Sequence, residues 1–170
     1  VNCDVLIEVP VMKIHSGSIY TGVLKNNIGS LAGAKHGFNK SVGGPDPGDP
    51  PGIHRDYDSL DSPLYEEIAG VSATIHRINL SIVDAINGKE RGKSASNPRV
   101  RRNMIIAGND PVATDAVSAR LMGLNPDDLD YLFLAQLEGL GVGDLDRIEV
   151  QSDRPIEDSI LSLIHISEPT

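Results

Sequence analysis

Tryptophan is absent, and the aromatic residues amount to four tyrosines and two phenylalanines. Any core must therefore be aliphatic, drawn from the Leu, Ile and Val that recur along the chain. Cysteine is nearly absent too, since Cys3 stands alone. One thiol excludes an internal disulfide framework and any zinc or iron–sulfur site that needs four cysteines from this chain. The plain expectation for Cys3 is a small buried apolar residue. Long apolar runs are also missing, and none approaches the roughly 20 residues that span a bilayer. Positive charge is the minority sign: 15 Lys and Arg against 24 Asp and Glu, a formal net charge of -9. That balance argues against nonspecific nucleic-acid binding and against anionic membrane surfaces, while leaving room for a local basic pocket. No secretory signal is visible, and the chain begins directly in a strand-like run, as a piece of a longer protein would. The compartment, cytoplasmic or exported, stays open.

What is present reads as one domain. The 170 residues, 39% of them hydrophobic, suit a single packed core. CDVLIEVPVM, residues 3 to 12, reads as a strand buried on both faces. Residues 37 to 60, rich in Gly, Pro and Asp, read as a long loop. Ser62 or Asp61 can cap a helix from Pro63 to about Ile75, whose Leu64, Ile68, Val71 and Ile75 form one apolar stripe. INLSIVDAI, 78 to 86, and NMIIA, 103 to 107, read as further strands. Asp110 followed by Pro111 starts a helix that Gly123 ends. Another helix is expected from Pro126 to Glu138, burying Leu129, Leu132, Phe133 and Leu137 and closed by Gly139. RIEV, 147 to 150, reads as a last strand. Strands alternating with helices predict an α/β fold, a mostly parallel sheet with helices packed on it, over 1–160. The last ten residues, LSLIHISEPT, resemble the in-frame translation of a sequencing adapter, so 161–170 is set aside as a non-native tail and the domain as truncated.

Ligands of α/β sheets bind outside the carboxyl ends of the strands. The first strand delivers Lys13 and His15, followed by Thr21, Gly22, Lys25 and Asn26. The second delivers Asp84, and the third Asn109 and Asp110. If the three strands run parallel, these groups meet on one rim. Lys13 and Lys25 suit a carboxylate or phosphate, His15 a proton or a metal. Free amides after Thr21 and Gly22 suit an anion. Asp110 is explained as a helix cap. Asp115, one turn on, is not. Asp84 inside an apolar strand needs a partner, for which a rim cation is the obvious candidate.

NGKERGKS resembles a phosphate-binding Walker loop at Gly92, Lys93 and Ser94. Asn87 stands where the first glycine belongs, and no apolar helical stripe follows, so the motif fails. Lys89, Arg91, Lys93, Arg99, Arg101 and Arg102 nevertheless make this the most basic region, read as a loop, from which one or two side chains can reach an anionic ligand. His15, His36, Asp84 and Asp110 supply metal-ligand types without a diagnostic spacing. No G-x-S-x-G elbow occurs.

PVMKIHSGSIYTGVLKNNIG, IVDAI with its basic loop, IIAGNDPVATDAVSARLMG and LEGLGVGDLDRIEV occur in an order that resembles the domain of unknown function 362 family. The resemblance covers most of residues 3 to 150. It implies Lys13, His15, Thr21, Gly22, Lys25, Asn26, Asp84, Asp110, Pro111 and Asp115 as the family's shared positions, without established roles. Members are often described as iron–sulfur-associated, some with an added cluster segment. A cluster serving this chain would therefore belong to a longer parent protein or a redox partner, and no cofactor is expected within the fragment. The leading expectation is a domain that binds a small anionic ligand with Lys13, Lys25 and His15, oriented by Asp84 and Asp115. A noncatalytic binding or assembly module is the alternative, and a metal-dependent enzyme the third.

Overall fold

A computed structural model describes residues 3–15, 18–30, 70, 78–89 and 99–160. The expected loop at 37–60, the Walker-like Gly92, Lys93 and Ser94, His36 and the tail at 161–170 lie outside the described residues, and of the expected helix at 63–75 the one described residue, Gly70, is helical. Among the described residues there are five strands: β1 (Ile7–Glu8), β2 (Val11–His15), β3 (Ile19–Thr21), β4 (Leu80–Lys89) and β5 (Arg99–Gly108). Three α-helices lie wholly among the described residues: α1 (Val23–Asn26), α2 (Pro111–Leu121) and α3 (Asp130–Leu137).

β1 and β2 are one strand interrupted at Pro10. Both pair in parallel with β4, and Ile7↔Leu80 and Val11↔Asp84 keep the same offset across the break. Pro10 has no N–H to give, yet its carbonyl still accepts from the Asp84 N–H at 2.8 Å. β3 folds back antiparallel on β2, and β5 runs antiparallel to β4 along its whole length. The sheet is thus open and mixed, with β1, β2 and β4 sharing a direction, three strands of five. It is an α/β fold, as the alternation of elements predicts.

The helices explain which face is buried. Met12, Val83 and Ala85 are fully buried and join Val112, Ala116 and Ala119 of α2 in the core. Strand side chains alternate, so the residues between them point the other way. Val5, Val9, Val11 and Ile105 are exposed on that second face. The first strand is therefore buried on one face and not on two, because no helix among the described residues lies over the other.

α2 follows its sequence signals. The Asp110 side chain accepts from Ala113 N–H, Pro111 takes the first position, and Gly123 leaves the helix at φ 80°. The expected long helix from Pro126 is instead a short 3-10 turn, Pro126–Asp128, capped by Asn125, and then α3. The break at Leu129 shifts the phase. Leu129 and Leu132 are buried as expected, but Tyr131 and Ala135 complete the stripe, while Phe133 and Leu137 are 60% and 67% exposed. RIEV is not a strand: a 3-10 turn occupies Leu145–Arg147, and the chain beyond it pairs with nothing in the sheet. Cys3 is exposed rather than buried, because it precedes the first strand instead of lying in it.

Candidate functional site

Two of the sequence motifs meet across the core. Asp115 of α2 is fully buried. Its Oδ1 accepts from Val23 N–H at 2.6 Å and its Oδ2 from Leu24 N–H at 3.0 Å. These are first-turn amides of α1, which lacks a side-chain cap of its own. The carboxylate of one motif thus caps the helix of the other. Gly22 lets this happen, since a Cβ there would overlap the carboxylate. Burial pushes the Asp115 carboxyl up to about 7, against the Leu24 and Val23 amides, which hold it down. Tyr20 stands beside it, donating to Ser118 Oγ at 2.7 Å, and its own ionisation is pushed well upward, first by burial and then by Asp115.

Asp110 is used in the same way at the other end of α2. Oδ1 caps Ala113 and Oδ2 accepts from Val142 N–H, both at 2.9 Å. Gly141 is the residue that lets the loop come so close. Lys25 Nζ donates to Ser18 Oγ at 2.6 Å, and Asn26 donates to the buried Glu8 carboxylate. Asp84 takes the N–H of Ile86 at 2.9 Å, a bond within its own strand and not one to a rim cation. Because β5 is antiparallel, Asn109 and Asp110 lie at the far end of the sheet from Lys13. The three strand ends therefore do not meet on one rim.

A different set does meet there. In register across the sheet, Thr21 of β3 faces Lys13 of β2, Lys13 faces Lys89 of β4, and Lys89 faces Arg99 of β5. Residues directly opposite share a face. That face is the one away from α2, for Met12 and Tyr20 beside Lys13 and Thr21 are in the core, and a Cβ on Gly88 would meet Met12. Asn87 and Arg101 form the next pair along. No carboxylate among the described residues pairs with Lys13, Lys89 or Arg99; the ion pair found there is Arg154 with Asp153. Like charges placed directly opposite one another destabilise a sheet. The Thr21 hydroxyl, in a residue 7% exposed, has no hydrogen-bond partner.

The ladder is disturbed at this level on both sides of β4, between Val11 and Lys13 and between Ala85 and Asn87. Such bulges re-aim side chains and recur beside binding sites. Ile19, opposite His15, holds a left-handed φ of 60°, a strained state for a β-branched residue. His15 ends β2 at the same rim.

Of the residues singled out in the sequence, Lys13 and Thr21 lie in the row and His15 just beyond it. Gly22, Lys25, Asn26, Asp110 and Asp115 are held in the packing around α1 and α2. Lys89 and Arg99 were legible only as members of a basic loop. The alternation in INLSIVDAINGK carries the signal that places Lys89 on a strand, while Arg99 is placed by its register with Lys89. A groove of about 780 Å³ between β5, α2 and residues 148–156 lies away from the row. Its lining cation, Arg154, already faces Asp153.

The described residues contain no group of three His, Cys, Asp or Glu side chains arranged for a metal. The donor set does not fit a four-cysteine cluster either, since Cys3 is the sole cysteine. No helix among the described residues is long and apolar enough to cross a membrane. A family model described as a domain of unknown function (DUF362) matches residues 1–120. No curated protein and no solved structure matches the chain.

Proposed function

The chain belongs to the DUF362 family, and on that footing we propose that it binds a small anionic molecule at the carboxyl rim of β2 and β4, with Lys13, Lys89 and Arg99 as its charged contacts. The observation that carries this reading is the in-register row of unpaired cations, ending at the buried, unpartnered hydroxyl of Thr21. A bound anion would turn the mutual repulsion of the row into attraction and give Thr21 an acceptor. His15 ends β2 at this rim. Asp115 and Gly22 act at one remove, by fixing the turn that follows Thr21. The iron–sulfur association of relatives adds a redox partner to the proposal. Such a partner would bring its own thiolates, because Cys3 cannot hold a cluster alone.

Calorimetric titration with phosphate, sulfate and succinate tests the reading. Binding of at least one of them, weakened about tenfold by Lys13→Gln, is expected, as for loss of one charge-assisted bond. If none binds, or if Lys13→Gln and Lys89→Gln leave every isotherm unchanged, the rim is not an anion site.

A further inference from the structure

The shape of the row says more about its ligand than its charge does. Adjacent strands lie roughly 4.8 Å apart, so Lys13, Lys89 and Arg99 on three neighbouring strands form a line roughly 10 Å long. A compact monoanion can bridge two neighbouring strands and leaves the third cation unanswered. We propose that the site takes a linear polyphosphate chain, of the kind carried by di- and triphosphate compounds, lying across the strands with one phosphoryl group toward each cation. This inference rests on the anion-site reading above.

Three further features fit a short polyanion. The cations are of mixed kind, with Lys13 and Lys89 as mobile point charges and Arg99 as a planar fork that grips two phosphate oxygens. At the β3 end, Thr21 offers a hydroxyl instead of a charge, which marks that end as the terminus of the ligand. Around the row, the chain has a net charge of -9. A long polyanion such as a nucleic acid would be repelled wherever it passed beyond the row, and a short one would not. Asn87 and Arg101, one pair further along β4 and β5, supply polar contacts at the flank.

Inorganic phosphate, diphosphate and tripolyphosphate, titrated calorimetrically into the full chain at fixed ionic strength, test the proposal. Affinity should rise at least tenfold from phosphate to tripolyphosphate. Lys13→Gln, Lys89→Gln and Arg99→Gln should each lower tripolyphosphate affinity by about tenfold, the scale of one charge-assisted contact. Arg120→Gln, an exposed change on α2 with the same loss of charge, should leave it unaltered. Circular dichroism of each variant establishes that the fold is intact. Equal affinity for phosphate and tripolyphosphate would overturn the extended ligand while leaving the anion site standing. So would succinate binding more tightly than diphosphate. No binding by any of the three phosphates, sulfate or succinate would overturn both.

Discussion

At the scale of single residues, the contact between Gly22 and Asp115 is, with that between Gly141 and Asp110, among the tightest of the described residues. The carboxylate occupies the space where any other residue would carry its Cβ. Gly22→Ala should therefore cost about 1–3 kcal/mol, as overpacked core positions do, read as a lower urea midpoint. Asp115 also makes stability depend on pH, and the sign follows from its shift. Its folded value is about 7 against an ordinary 3.8. The folded state holds this proton where the unfolded chain has lost it, so the contribution is fully present below about pH 4. It is lost as pH rises through about 7, at up to about 1.4 kcal/mol per pH unit. Asp115→Asn keeps an acceptor oxygen and removes the titration. Relative to the parent it should gain stability between pH 5 and pH 8 in urea unfolding. A variant that instead loses ground at pH 8 would mean that the Val23 and Leu24 amides outweigh burial.

Among the elements, α2 is the organiser, and Asp110 ties its start to the 140–143 turn. Asp110→Ala removes a cap and the Val142 bond together. It should cost about 2 kcal/mol and speed amide exchange at Val142 and Gly143. This helix was fully legible in the sequence, because Asp110, Pro111 and Gly123 are local signals that need no tertiary information. β4 and the apolar end of β5 were legible for the same reason. What was not legible depends on partners distant in sequence. RVRR joins β5 because Arg99, Val100 and Arg101 pair with Lys89, Gly88 and Asn87 of β4, although its charges read as loop. The antiparallel direction of β5 is set by how it folds back on β4, and no residue within it encodes that. The phase of α3 turned on one non-helical residue, Leu129. As for the site, Lys13 and Thr21 could be picked out by type and position. Their true companions, Lys89 and Arg99, emerged only with the register.

For the whole molecule, a ligand bound to the folded state alone must raise its stability. Tripolyphosphate at a hundred times its dissociation constant should add about 2.7 kcal/mol, seen as a melting temperature several degrees higher. The gain should shrink in high salt, as screening shortens the reach of the exposed Arg99, and it should vanish in a Lys13→Gln, Lys89→Gln double variant. The clasp at Asp115 has a consequence in time as well as in space. Val23 and Leu24 are separated from it by 92 and 91 positions. Synthesis proceeds from the amino end, so the Thr21–Asn26 turn emerges well before the carboxylate that completes it. The closure of so long a loop belongs late in folding, after α2 has formed from local contacts. Contacts made late govern unfolding rather than folding. Asp115→Ala, which leaves both amides without an acceptor, should accordingly shorten the lifetime of the folded domain in stopped-flow unfolding and leave its refolding rate nearly unchanged.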